Sequence, residues 1–402
     1  MNVAGAPYWD LFTTILYIIM GLVPVWAIYE SDKSTTVYRK WWKNPYFIVW
    51  IIIWTIFGGG RLVTFGVGGT DAPFYIEYFE SCLNPASVST GVMSQYNSNV
   101  GFRWLNKFLR LFSSNGYFFI VVTSFLLTVI PIYFISKFRL KEESCIPYFL
   151  MVFWFVRGFC TIRSHLAIVT FLIALWLLFI GKKKWALIIG IYSILLHPML
   201  AMYFPFIVIL CISKKFTLGL KTVSLIFIIS FSVIAPIKQI FLQNVSLFGD
   251  FSEHYESYVT GVAGNSFFDN AWKIAFEQLI LLLFMLISQR GLKRYSTTLS
   301  GTYLEAYNLI YKLCMYDFLL VPVCYALNIW RGYEVCYIPR LIMWSIIVYI
   351  GAKKFPRTMR WAYNFVVVAL FMAWFLHRTS AESFWQETAL MPYVFAPSLV
   401  FF

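Results

Sequence analysis

Charge is scarce in this sequence. Asp, Glu, Lys and Arg together make up only 12% of its residues, against about a quarter in a soluble domain. A soluble barrel or sandwich is excluded, because 60% of the chain is hydrophobic and apolar runs near the ~20 residues that cross a bilayer recur along it. Carboxylates are scarcer than bases, at 18 against 32. In a soluble protein the resulting net charge of +14 would suggest nucleic acid. Here it reads as loop charge that orients a membrane protein, and no nucleic-acid partner is implied.

Other shortages narrow the chemistry. The seven cysteines include no CxxC and no Cys/His cluster, so a structural zinc site or a redox motif is not expected. Scattered cysteines such as Cys211 and Cys314 read as small core residues. There is no DxD, and no pair of histidines at ligand spacing on an outer helix, so neither metal nor cofactor is expected. No basic segment precedes the first apolar run, where Asp10 stands instead, so the first helix is expected to be an uncleaved anchor. No internal repeat or low-complexity tract divides the chain, which reads as a single membrane domain over 1–402.

What is present is a series of apolar spans. They run over about 11–29, 45–58, 116–136, 145–159, 164–181, 222–241, 271–288, 307–328, 335–351 and 361–377. A further apolar stretch, 185–211, has lysines at both ends and "LHPM" in its middle. Lysines at both ends place both ends on one side, so the stretch should turn back at His197-Pro198 as a short re-entrant hairpin. Pro198 lacks a backbone N–H and favours the break there. The expected architecture is all-α and polytopic, with about 10–12 transmembrane helices including the broken hairpin. Two larger extracytoplasmic loops are expected at about 58–115 and 242–270, and both termini outside. Within the first loop, "GFRWLNKFLRLFSSN" sets Arg103, Lys107 and Arg110 among Phe, Trp and Leu, the pattern of an amphipathic helix in the interface.

This topology separates the two basic residue types. Fourteen of the eighteen lysines fall in cytoplasmic loops, whereas eight of the fourteen arginines fall on the outer side: Arg61, Arg103, Arg110, Arg157, Arg163, Arg331, Arg340 and Arg378. Membrane orientation needs positive charge and distinguishes little between the types. Phosphate recognition does distinguish, because guanidinium is planar, always charged and bidentate. An arginine-rich, lysine-poor outer face therefore points to anion recognition at the outer interface. The competing explanation is that each arginine snorkels to headgroups or pairs with a carboxylate.

Several stretches resemble the EpsG-like branch of the Wzy polysaccharide polymerases. "GGGRLVTFGVGGTDAPFYIEYF" is similar to its early signature through Arg61, Gly69, Thr70, Asp71 and Tyr75. "IRSHLAIVTFLIALWLLFIGKKKWALIIGIYSILLHPML" resembles its central one through Arg163, Lys182–Lys184 and His197. "IWRGYEVCYIPRLIMW" is similar to its arginine-bearing outer loop, giving Arg331 and Arg340, and the terminal "LMPYVF" also fits. The sequence departs from the family at "NSNVGFRWL", where Asn99 stands in place of an acid, so no carboxylate role is assigned there.

The resemblance implies extension of an undecaprenyl-diphosphate-linked glycan on the outer face of the bacterial cytoplasmic membrane. The growing chain would pass to a single lipid-linked repeat unit. It also implies a GT-C-like fold relationship to lipid-donor glycosyltransferases. Its partners would be lipid-linked donor and acceptor, membrane lipids, a chain-length regulator and other assembly proteins. The reaction would be a metal-independent glycosyl transfer. Within it, Arg163 and Arg331, then Arg61 and Arg340, are the candidate diphosphate residues. His197 and Asp71 are the candidate bases for the acceptor hydroxyl. His165, two residues after Arg163, reads as local structure. Tyr75, Tyr255 and Tyr258 are candidate glycan contacts. A flippase would bind the same diphosphate, and an O-antigen ligase would use the same donor with another acceptor. A purely structural partner in polysaccharide assembly is the remaining reading, and the arginine partition argues against it.

Overall fold

The computed structural model describes residues 11–34, 41–65, 67–84, 87, 91–139, 143–213, 224–225, 301–326, 332, 334–380 and 396. Among them every extended element is helical and there is no strand. Four helices are long and apolar enough to cross a membrane: Leu11–Lys33 (α1), Gly116–Phe138 (α6), Ile162–Phe179 (α8), and Arg360–His377 within α13 (Arg360–Ser380). Shorter apolar helices cover Pro45–Gly59 (α2) and Ile146–Cys160, the latter a 3-10 turn leading into Met151–Cys160 (α7). The expected spans at 307–328 and 335–351 are helices Gly301–Ala326 (α11) and Tyr337–Lys354 (α12). The expected spans at 222–241 and 271–288, and the loop at 242–270, lie outside the described residues apart from 224–225.

Local signals set the helix ends. Asn44 caps α2 by accepting from Tyr46 N–H at 3.1 Å, with Pro45 at the first helical position where its missing N–H costs nothing. Asn115 caps α6 in the same way, accepting from Tyr117 N–H at 2.9 Å. Glu80, on the short helix Ala72–Ser81 (α3), accepts from Gly116 N–H at 3.0 Å and ties that helix to the start of α6. α1 runs on to Lys33, beyond the expected end near 29, and a tertiary contact accounts for the extra turn. Arg139, just past α6, grips Asp32 through two hydrogen bonds of 2.8 and 2.7 Å.

The 185–211 stretch is a hairpin, broken where His197-Pro198 predicted. Lys183–Leu196 (α9) rises to His197, a 3-10 turn spans Pro198–Met202, and Phe204–Ile212 (α10) returns. Lys183 Nζ donates to Cys211 O, closing the open end of the pair. The arms have 14 and 9 residues, about 21 and 14 Å at 1.5 Å per residue, so neither crosses a hydrocarbon core of about 30 Å. The tip is held from the side: Tyr316 on α11 donates to Met202 O at 2.9 Å.

Over that tip lies the amphipathic helix Val100–Leu109 (α5), reached from α3 through Gly91–Ser98 (α4). Phe102, Asn106 and Leu109 are buried, while Trp104, Phe108, Leu111 and Phe112 stand outward. Gly101 makes the crossing possible. A β-carbon there would lie 2.8 Å from the backbone of Leu195 and Leu196, closer than any real contact, so α5 packs backbone to backbone on the end of α9. Gly101→Val should therefore push α5 off the hairpin and cost about 1–3 kcal/mol as overpacking. The check is the melting temperature of the purified protein in detergent, and an unchanged value would refute the contact.

The outward faces are apolar. Trp361, Phe365 and Leu370 on α13 and Trp185, Ile188 and Ile191 on α9 are exposed. Side chains of this kind, repeated over whole helix faces, belong against lipid, where helices satisfy their own backbone hydrogen bonds.

Candidate functional site

The arginine-rich ends of the helices hold three groups of polar residues. The first is built around Arg61. The chain leaves α2 at Gly58–Gly60 and turns through Gly68 and Gly69, whose φ angles of 82° and 120° suit only glycine. Into this turn Arg61 is buried, with Nε donating to Gly68 O at 2.8 Å, Nη1 to Gly58 O and Nη2 to Phe159 O at 3.4 Å. The Phe159 ring covers one face at 4.2 Å. The guanidinium thus fastens the end of α2, the glycine turn and the end of α7, where helix carbonyls attract positive charge. Those contacts engage all three of its nitrogens, so Arg61 reads as a staple of the fold.

Asp71 follows the same turn, at the start of α3, and its carboxylate makes no cap to that helix. It lies with Arg61 and Arg157 within electrostatic reach of Cys160. Arg157 in turn pairs through Nε with Glu334 Oε1 at 3.0 Å. Glu334 Oε2 sits 4.0 Å from His165 Nδ1. His165 is fully buried and its Nδ1 also meets Thr161 Oγ1 at 2.9 Å. The local-structure reading of His165 matches this placement.

The second group lies deeper. Asp317 on α11 is wholly buried and takes Arg340 of α12 on Oδ2, at 2.9 Å from Nε and 2.7 Å from Nη2. The Tyr203 hydroxyl, at the base of the hairpin tip, is 2.8 Å from Asp317 Oδ1 and 2.9 Å from Gly332 O, and so donates to one of the two at a time. Arg340, expected at a diphosphate, is instead 3% exposed and joined to a carboxylate. The pair holds the hairpin tip, α11, α12 and the Gly332 turn together.

Arg163 anchors the third group. It opens α8, and its guanidinium lies 5.0 Å over the Tyr96 ring. Tyr96 belongs to an aromatic box. Tyr75 stacks on it at 4.9 Å, Tyr78 meets it edge-on at 5.7 Å, and Phe102 of α5 closes the box at 6.0 Å. Tyr75 is 1% exposed, so its ring is a wall of the box. Tyr78 is buried as well, and its hydroxyl donates to Asn97 Oδ1 at 3.4 Å. Burial pushes the Tyr78 hydroxyl up from its ordinary pKa, while Arg103 and Arg163 pull it the other way.

His197 stands at the hairpin tip, one residue beyond the Leu196 backbone on which Gly101 of α5 rests. Its Nδ1 accepts from Met199 N–H at 3.3 Å. A neutral imidazole has a single lone pair on its ring nitrogens, and here Nδ1 carries it. Nε2 then holds the proton, so His197 can donate a hydrogen bond in this geometry but cannot take a proton at Nε2. Arg331, Tyr255 and Tyr258 lie outside the described residues.

Sequence reasoning passed over Glu334, Tyr203 and Asp317. Asp317 carried a usable signal, since an acid inside an apolar span of a membrane helix marks a partner or a function. Nothing local named that partner: Tyr203 is 114 residues away and Arg157 is 177 residues from Glu334.

Apolar helices of membrane-crossing length and a partial hairpin define a polytopic α-helical membrane protein. The family model for the EpsG family matches residues 43–395, and the chain belongs to that family, which is Wzy-like and of polysaccharide-polymerase type. No curated protein and no solved structure matches the chain.

Proposed function

We propose that the protein is a glycosyltransferase that polymerises undecaprenyl-diphosphate-linked oligosaccharide repeat units on the outer face of the bacterial cytoplasmic membrane. Family membership over residues 43–395, joined to the Arg163 guanidinium at the aromatic box, is the observation that supports it. In the transfer, the bond between the donor's anomeric carbon and the diphosphate oxygen breaks, and its electron pair leaves with the diphosphate. The acceptor hydroxyl oxygen bonds to the same carbon and gives up its proton. The sugar passes through an oxocarbenium-like state while negative charge grows on the leaving oxygen. A guanidinium fixed beside that oxygen stabilises the charge as it develops.

Arg163 takes that role from the start of α8, with its guanidinium over the Tyr96 ring of the aromatic box. Asp71 takes the acceptor proton, and His197 donates through Nε2–H to a sugar oxygen. Arg331 keeps its sequence-based place beside the diphosphate.

The test is deletion of the gene in its own host, with surface and lipid-linked glycans resolved by size. The expected result is collapse of the polymer ladder to a single repeat unit. Repeat units accumulating on the cytoplasmic face would identify a flippase instead, and long polymer stranded on its lipid carrier would identify a ligase.

A further inference from the structure

One carboxylate beside the start of α8 is fixed in position while one of its oxygens goes without a hydrogen bond. Glu334 stands in the short turn that leads into α12. On one side of it, Gly332 O lies 2.9 Å from the Tyr203 hydroxyl and accepts from Val335 N–H at 3.2 Å. On the other, the Tyr337 hydroxyl donates to Leu150 O at 2.8 Å, so the turn is anchored at both ends. Arg157 of α7 then orients the carboxylate itself, donating from Nε to Oε1 at 3.0 Å. Oε2 is buried and, among the described residues, accepts no hydrogen bond. His165 Nδ1, 4.0 Å from it, is engaged by Thr161, at 2.9 Å from Oγ1 and 3.2 Å from O. Leaving a charged acceptor buried without a donor is costly, and most buried polar atoms have a partner, so such an oxygen marks a place for a water or a ligand. The side chain is also 13% exposed, so unlike Asp317 it is not sealed into the core.

We propose that Glu334 Oε2 accepts a hydrogen bond from the donor sugar of the transfer, from a hydroxyl or an acetamido N–H next to the carbon that reacts. The assignment rests on the lipid-linked donor of the proposed function and adds a sugar contact to it. Arg163, which takes the diphosphate there, opens α8 two residues before His165, and the Glu334 carboxylate lies against His165. The donor sugar is bonded directly to the diphosphate, so its polar groups arrive at the same turn. Arg157 balances the charge of the carboxylate, and the pair therefore suits a neutral hydrogen-bond donor better than a free ion. As the bond to the diphosphate breaks, the sugar gains positive charge and its hydroxyls become stronger donors. The contact to Glu334 then tightens in the transition state. Glu334 takes no proton in this step; the acceptor's proton still passes to Asp71.

The experiment uses the purified full chain in detergent with single lipid-linked repeat units extracted from the deletion host. It measures polymer formed per molecule of protein against repeat-unit concentration. The variants are Glu334→Gln and the double change Arg157→Gln with Glu334→Gln. In the single variant the amide oxygen can keep Arg157, while an NH2 donor replaces the acceptor at Oε2. Turnover at saturation should fall about 10- to 100-fold, the worth of a hydrogen bond to a charged group. KM should change much less, because the contact strengthens in the transition state. The double variant removes both charges and should show the same loss, which separates the missing acceptor from a stranded Arg157. Binding of undecaprenyl diphosphate, which carries no sugar, should be unchanged in both. Turnover like the wild type in either variant would overturn the assignment, leaving Oε2 to a water, with the lipid-linked donor still standing. A loss of undecaprenyl diphosphate binding that matches the loss of turnover would make Glu334 a support of the fold or of the diphosphate, and would overturn the sugar contact too. A wild type that makes no polymer from the extracted units would overturn the proposed function, and this assignment with it.

Discussion

Asp317→Ala is expected to cost about 3–5 kcal/mol of stability, because it strands the buried charge of Arg340. Neither group reaches solvent, at 0% and 3% exposed, and water cannot replace the lost partner. The same substitution takes away the acceptor of Tyr203, which fixes the hairpin tip to α11. A melt of the purified variant in detergent gives the check, with a large fall in melting temperature expected. Replacing both partners, Asp317→Leu with Arg340→Met, removes the charges together and should recover much of the loss, since an apolar pair of similar volume avoids the desolvation cost. Asp317→Ala melting like the wild type would show that the pair does not secure the tip.

Arg163→Ala carries the second large expectation. If its guanidinium stabilises charge on the departing diphosphate, polymer made per molecule of protein should fall about 10²–10³-fold, the loss seen when one preorganised donor is removed from a developing anion. Arg163→Lys keeps the charge without the planar fork and should fall between the two. Arg61 supplies the contrast. Arg61→Lys cannot reach Gly58 O, Gly68 O and Phe159 O at once, so its effect should appear as a lower melting temperature. The two arginines are thus separable by which quantity moves, and full polymer synthesis by a normally expressed Arg163→Ala would sink the diphosphate role.

The hairpin was legible because two independent signals coincide on it: lysines at both ends of one apolar stretch, and His197-Pro198 at its midpoint. Chain direction and a missing backbone donor are local properties, and a one-dimensional string records them. The amphipathic α5 was legible for the same reason, through the spacing of Arg103, Lys107 and Arg110 among apolar residues. Its resting place was not legible, because Gly101 says only that a close approach is allowed. That the approach is to Leu195 and Leu196 depends on a chain segment far along the sequence.

The arginines divide along the same line. Arg61, Arg163 and Arg340 were equivalent as residues on the outer side, and the structure separates them by what stands opposite each: three backbone carbonyls, an aromatic ring, and a buried carboxylate. His197 was read as a candidate base from its imidazole and its place at a helix break. The structure adds the Met199 N–H on its Nδ1, the contact that sets which ring nitrogen carries the lone pair.

The sequence by itself determined that the chain is a helical membrane protein, that one stretch turns back partway, and that the family is EpsG-like. Each of these follows from composition, periodicity or short ordered motifs, which act over a few residues. Only the tertiary structure decided what lies against Arg61, Arg163 and Arg340, and that Asp317 joins Tyr203 to Arg340. A charge acts on whatever lies within a few ångströms of it, and folding alone brings residues more than a hundred positions apart to that distance.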